Sequence, residues 1–307
     1  MKVLITGANG DIAISIFEIL KKEYKNIKIF GSDLNSGYGN LYFRKIFSLP
    51  HANSKNYLKN SRVLFKRFDL IVPTTEAEIS FIANNEEKYQ KNLFLINNKK
   101  IVNLFFDKLK TFEFLKKKKL NYLKFCEKLD LKKRYKLPLF LKTRFGAGNK
   151  NYEIIKKRNQ LNKKNYKIFK GKFIVQELLN SKKEYTSCIY KNMDFVSIIT
   201  FERKLNKDFT YYAKPIKSRI FNKNLKKIAL SIPFNGSINI QFKFEKKKIK
   251  IFEINPRLSS TVLMRNLIGF KDCVWWINDL IGIKTRKNTK NIRYNKILLK
   301  KNIIYKI

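Results

Sequence analysis

The chain has 307 residues, enough for two domains and a sizeable core. It is 44% hydrophobic and 14% aromatic, which excludes a disordered chain. Its 68 Lys and Arg against 23 Asp and Glu give a net charge of +45, which raises nucleic acid, an anionic membrane or an acidic substrate as partners. The lysines, however, run along nearly the whole length, as in Lys116–Lys119, Lys163–Lys164 and Lys246–Lys248. A nucleic-acid binder gathers them on one face or tail, so this spread reads as compositional bias, and no specific nucleic acid is expected. No stretch reaches the roughly 18 uncharged apolar residues of a membrane span. Asp11 and Glu18 interrupt the apolar N-terminus, unlike a signal peptide. Cys126, Cys188 and Cys273 lack metal-like spacing and suit a reducing, cytoplasmic setting.

The first third alternates strands and helices. KVLIT predicts a strand, Thr6-Gly7-Ala8-Asn9-Gly10 a tight turn, and Asp11–Lys22 a helix. A second strand ends at Asp33, a third covers Asp69–Pro73, and Thr75–Asn84 opens a helix with Glu76 and Glu78 in its first turn. LFLIN (93–97) is a further strand. The alternation implies a parallel sheet with right-handed crossovers to about residue 106. Asp107–Lys119 then reads as a helix, and the pattern changes. Strands are expected at Leu137–Thr143, Tyr152–Lys156, Phe173–Leu179, Glu184–Tyr190, Phe195–Glu202 and Tyr211–Ile216. A helix follows at Asn222–Ile232, then a hairpin of Ser237–Phe244 and Ile249–Ile254. Ser260–Leu267 and Lys271–Leu280 read as helices, and Asn295–Leu299 is strand-like within a basic tail.

The opening GANGDIA is a partial dinucleotide fingerprint, with Ala13 at the third glycine position and Asp33 placed for a ribose. That raises an NAD(P)-dependent short-chain-type oxidoreductase. Such an enzyme needs a catalytic Tyr-x-x-x-Lys pair; Tyr24/Lys28, Tyr152/Lys156 and Tyr166/Lys170 all supply one, so in this lysine-rich chain the pattern discriminates nothing.

The most informative stretch is Asn239-Ile-Gln241 followed by Ile251-Phe-Glu253-Ile-Asn255-Pro-Arg257. Glu253 and Asn255 share one face of a strand, and Gln241 on the partner strand can face them. One carboxylate and two amide oxygens suit Mg²⁺, which completes its shell with phosphate and water. Arg257 follows, placed to meet an anion. Lys142 precedes the loop Gly146-Ala-Gly148-Asn149-Lys150, whose glycines let backbone N–H groups approach phosphate. Val175-Gln-Glu177-Leu-Leu179 and then Glu184 make a strand, a hinge and a carboxylate, able to hold an adenine edge and a ribose.

In this order these elements resemble the ATP-grasp superfamily, closest to its carbamoyl-phosphate synthetase large-subunit-like and biotin-carboxylase-type branch, over roughly residues 1–280. The resemblance implies an α/β and α+β chain: a Rossmann-like pre-ATP-grasp domain (1–106), a small subdomain with a glycine lid loop (107–175) and a large subdomain with the Mg-ATP and substrate site (176–307). It implies ATP, with Mg²⁺ or Mn²⁺, as cofactors. Lys108 and Lys142 would contact phosphates, Gly146 and Gly148 would belong to the lid, and Glu177 and Leu179 would meet adenine through their backbone. Glu184 would bind ribose; Gln241, Glu253 and Asn255 would hold the metal. Arg257 would grip a carboxylate or the transferring phosphoryl group. Lys214 is a further basic residue for the nucleotide, and Glu76, Arg203 and Arg219 are substrate candidates. The implied activity is a carboxylate–amine or carboxylate–thiol ligase acting on a small carboxylic acid, such as an amino acid or sugar acid, through an acylphosphate. Its partners would be small carboxylates and amines, with a homodimer allowed. A basic nucleic-acid binder on the same scaffold is the remaining alternative, and a steep salt dependence would mark it. His51, the single histidine, reads as a surface or packing residue.

Overall fold

The computed structural model describes residues 1–89, 92–130, 132–146, 152–161, 173–193, 195–206 and 209–300. Three sheets carry the architecture. The first is parallel, in the order β3-β2-β1-β4-β5, formed by β1 (Lys2–Thr6), β2 (Lys28–Asp33), β3 (Ile46–Ser48), β4 (Leu70–Val72) and β5 (Leu93–Phe94). Helix α1 (Asp11–Glu23) buries Ala13, Ile16, Phe17 and Leu20, residues at three- and four-residue spacing, and carries Asp11 at its start and Lys21 and Lys22 at its end, as the helix dipole favours. On the other face α2 (Tyr57–Phe65) buries Tyr57, Leu64 and Phe65 against Leu4, Ile71 and Phe94. Helix α3 (Glu76–Asn84) starts on Thr75, whose side chain caps the Glu78 N–H.

Helices α4 (Lys99–Phe105) and α5 (Lys108–Lys117) lead out of this domain. The second sheet is antiparallel, in the order β6-β9-β7-β8, from β6 (Cys126–Lys128), β7 (Leu139–Thr143), β8 (Tyr152–Ile155) and β9 (Phe173–Glu177). The third, also antiparallel, runs β14-β13-β10-β11-β12-β15. It comprises β10 (Glu184–Lys191), β11 (Val196–Asn206), β12 (Phe209–Ile216), β13 (Gly236–Glu245), β14 (Lys248–Asn255) and the two-residue β15 (Leu298–Leu299). Helix α6 (Arg219–Ser231) is capped by Ser218. Helices α7 (Val262–Leu267) and α8 (Asp272–Leu280) follow β14.

The chain-order expectation of elements holds, with informative differences. LFLIN shortens to two strand residues because Asn97 leaves the sheet and donates to Ser237 O and Pro256 O, both at 3.0 Å. The strand expected over 295–299 keeps only Leu298 and Leu299, paired with Ala213 and Tyr212. Helices α2 and α4 and strands β3 and β6 were not expected; each is short, and the two strands are held by pairing with β2 and β9.

The six-stranded sheet has two faces. Ile189, Ile240 and Phe242 join α6 and, from α4 and α5, Ile101, Phe105 and Leu115 in one core. The opposite face contributes Cys188, Ile199, Phe201 and Ala213 to a second core with α1, α7, α8 and the parallel sheet. The parallel domain is therefore packed directly on the large sheet. Tyr24 to Asn278 (2.7 Å) and Lys271 to Glu23 (2.7 Å) add polar ties. The rest of that second face stands opposite the four-stranded sheet, and a cleft lies between them.

Candidate active site

The polar row is set by strand register. Thr186 pairs with Gln241 and Gln241 with Glu253, while Cys188 pairs with Asn239 and Asn239 with Asn255. Glu184 pairs with Arg203 on the other side. Paired residues share a face, so Glu184, Arg203, Gln241, Glu253 and Asn255 project together. The Arg203 Nε donates to Glu184 at 2.8 Å and its Nη2 to the Gln241 Oε1 at 2.8 Å. The Asn255 amide donates to Glu253 at 2.8 Å.

A bulge sharpens the arrangement. Gln241 pairs with Glu253, yet Phe242 pairs with Ile251, leaving Phe252 as an extra residue in β14. The Phe252 ring packs with Leu109 and Phe112 of α5 and with Leu123 and Leu179. Its carbonyl accepts the Lys142 Nζ at 2.9 Å. Lys142, on β7, is 7% exposed. Burial pushes its pKa down to about 8, with Glu253 working in the opposite sense. Burial also opposes charge on Glu253, but Lys108, Lys142, the Asn255 hydrogen bond and Arg203 outweigh it and hold that carboxyl below its usual range.

Lys108 is the first residue of α5. Asp107 caps that helix through the Leu109 and Lys110 N–H groups and pairs with Arg144 at 2.8 and 2.6 Å. This clamp joins the end of β7 to α5, and the Lys108 Nζ reaches Gly146 O at 2.6 Å. Gly146 has φ +90°, a conformation glycine supplies. Gly148, with Asn149 and Lys150, lies outside the described residues.

A cavity of about 490 Å³ lies in the cleft, within the range of small-molecule sites. Of the residues singled out in the sequence, Lys108, Lys142, Leu179, Glu184, Arg203, Gln241 and Glu253 line it. Asn255 adjoins it through Glu253. Glu177 does not line it: its N–H bonds Phe125 O at 3.3 Å, and its carboxylate takes the Lys124 N–H and Lys250. The hinge facing the cavity is instead Leu178–Asn180, and Lys243 donates to Leu179 O at 3.2 Å. Arg203, expected nearer the substrate, lies inside the cavity. Lys214 is exposed and in register with Glu202, which puts it on the face away from Arg203. Arg219 is exposed at the start of α6. Glu76 and Arg257 meet each other at 3.2 Å, bridging the parallel domain and the end of β14.

Two further residues were not among the site candidates of the sequence. Gln176 is 4% exposed, lines the cavity, and its Oε1 has no partner among the described residues. Its place next to Glu177 on an alternating strand was the available signal. Glu78 is buried beside the first domain's turn and accepts from Thr6 (2.7 Å), Thr75 (2.8 Å) and Tyr57 (3.2 Å). Burial raises its pKa against those donors.

The dinucleotide reading fails on geometry. Gly7 has φ +65°, and a Cβ there would meet Thr74 Oγ1 at 2.7 Å and Thr75 Cγ2 at 2.8 Å, so its glycine serves the close approach of the β4–α3 loop. The Asp33 carboxylate is taken by the Asn9 and Leu34 N–H groups at 2.9 and 2.7 Å. The crevice beside it, lined by Asp33, His51 and Glu78, holds about 120 Å³, too little for a dinucleotide.

Residues 105–261, more than half of the chain, match the family model of the ATP-grasp domain. The chain belongs to the ATP-grasp family. No curated protein sequence matches it. Among solved structures it is similar to the N5-carboxyaminoimidazole synthetase of Staphylococcus aureus, solved with ADP (TM-score 0.75, 17% identity, 93% of this chain and 78% of that chain). It is also similar to the biotin carboxylase domain of the Hydrogenobacter thermophilus 2-oxoglutarate carboxylase, solved as a dimer with MgADP, ADP and bicarbonate (0.75, 18%, 96% and 73%). A third likeness is the Aspergillus clavatus carboxyaminoimidazole ribonucleotide synthase, solved with ATP (0.76, 13%, 95% and 79%). At these identities the likeness is one of fold. No helix among the described residues is long and apolar enough to cross a membrane.

Proposed function

We propose that this chain is an ATP-dependent carboxylate–amine ligase that works through an acylphosphate. The observation that carries the reading is the convergence of Lys142, Glu253, Gln241, Arg203 and Glu184 on one cavity between two antiparallel sheets. Gln176, Leu179 and the hinge would receive adenine, and Glu184 the ribose. Lys108 and Lys142 would neutralise phosphate oxygens. The donor set of one carboxylate and two amides fits Mg²⁺: all three offer oxygen, and Glu253 is held ionised. When bound, the metal would supply charge neutralisation at the phosphates.

In this reading a carboxylate oxygen attacks the γ-phosphorus and the bond to the ADP oxygen breaks. An amine nitrogen then adds to the acyl carbon, loses a proton, and phosphate leaves with its bonding electrons. The residues position groups and stabilise charge, so no nucleophilic side chain is required. Arg257 would face the developing charge. The neighbours' bicarbonate and carboxyaminoimidazole chemistry supports a small carboxylate substrate. The dimer of the Hydrogenobacter domain supports a homodimer, which sedimentation tests. Calorimetric titration with ATP in Mg²⁺ tests the reading, followed by a screen of carboxylates and amines for ADP release. Tight NAD(H) binding without ATP binding would overturn it.

A further inference from the structure

The turn that carries the end of the metal-facing strand is Asn255-Pro256-Arg257, and what fixes it lies outside the cavity. Arg265 on α7 has 0% exposure, and each of its three side-chain nitrogens is hydrogen-bonded. Its Nε and Nη2 hold Asp272 at 2.6 and 2.8 Å. Its Nη1 donates to the Ser259 and Thr261 hydroxyls at 3.0 and 3.1 Å, two residues beyond Arg257 and further. Asp272 in turn accepts from Ser237 at 2.7 Å, on β13 just before Asn239 and Gln241. From the other side Asn97 donates to Pro256 O and Ser237 O. The turn is thus gripped before and after Arg257, and both grips end on the strand that carries Gln241.

A buried guanidinium is a costly way to join two helices, since apolar residues of similar volume commonly do so at equal or greater stability. What the bidentate pair adds is fixed direction. Arg265 spends its remaining nitrogen on Ser259 in the turn and on Thr261, the residue where the turn enters α7. We infer that Arg265 is a positioning residue for the ATP site: through Ser259 and Thr261 it sets the path of residues 255–261, and hence the aim of Asn255 and Arg257. Partners of this kind behind metal-facing groups typically change affinity or activity by about 10- to 100-fold when removed.

This rests on the ligase reading, and the experiment separates the two. ATP affinity of the full chain is measured by calorimetry in EDTA and in Mg²⁺, with thermal unfolding alongside. The wild type is expected to bind ATP more tightly with Mg²⁺; if it does not, the ligase reading fails and this inference with it. The double variant Ser259→Ala/Thr261→Val cuts the turn from Arg265 but leaves the Arg265–Asp272 pair. It is expected to lose about tenfold of the Mg²⁺-dependent gain while metal-free ATP binding, which uses Lys108, Lys142 and the hinge, stays within twofold. Arg265→Lys is expected to do the same with a lower melting temperature; should it not fold, the double variant decides. A folded double variant that keeps the full gain, or that loses metal-free and Mg²⁺-dependent binding equally, overturns the inference and leaves Arg265 a packing residue.

Discussion

Lys142 is where charge and burial conflict most directly. Its pKa of about 8 lies below the ordinary 10.5 because the ammonium is buried. Between those values the unfolded chain holds a proton the native state has lost, so this group adds stability as pH rises through that window. Below it the native state carries a buried charge that ATP would neutralise. Lys142→Met is therefore expected to abolish ATP binding and yet stabilise the nucleotide-free protein at neutral pH by roughly 1–3 kcal/mol, read from denaturant unfolding. ATP affinity of the wild type should fall as pH rises through about 8, and binding near that pH should take up protons, visible in calorimetry across buffers of different ionisation enthalpy. Glu253→Gln removes the carboxylate that the neighbouring cations hold ionised. It is expected to abolish ATP turnover with the circular dichroism spectrum unchanged; undiminished turnover would sink the assignment. Both residues were readable in the sequence as types, but their mutual shift was not, because it depends on two sheets closing over them.

Elements place these residues through local irregularity. The extra residue Phe252 sends its ring to Leu109 and Phe112 of α5 and its carbonyl to Lys142, which strict alternation in FEIN could not foretell. After β9 the Glu177 N–H is taken by Phe125 O, just before β6, and Leu178–Asn180 line the cavity. In the first domain, the glycine turn is fixed by steric closeness. Gly7→Ala is expected to destabilise by about 1–3 kcal/mol, from strain at positive φ and contact with Thr74 and Thr75, with ATP affinity unchanged. Paired denaturation and ATP titrations check this, and a large loss of nucleotide affinity would return the turn to the binding site.

At the scale of the molecule, one core joins the parallel domain to the large sheet, and the Glu76–Arg257 pair crosses the same junction. The tail docks on α7 and α8, where Lys287 reaches Asp279 at 2.7 Å and Arg293 bonds Leu267 O, and its Lys300 crosses the junction to Asp11 on α1. The net charge of +45 opposes this closure by self-repulsion. Added salt screens it over about 8–10 Å at moderate ionic strength. The melting temperature is expected to rise between 50 and 500 mM KCl; a fall would mean that the ion pairs across these junctions outweigh the repulsion.

By itself the sequence determined most of the strands and helices in chain order, and the residue types that place Gln241, Glu253 and Asn255 on one face of a hairpin. Those depend on hydrophobic period and on residue types that local spacing puts on one face. The tertiary structure alone decided that Arg203 enters the cavity, that Lys214 faces away, that Gln176 lines the cleft, and that Arg265 stands behind the turn. Each depends on register between strands distant in the chain, on a one-residue bulge, or on a buried charge finding its partner, and none of these leaves a local periodic trace.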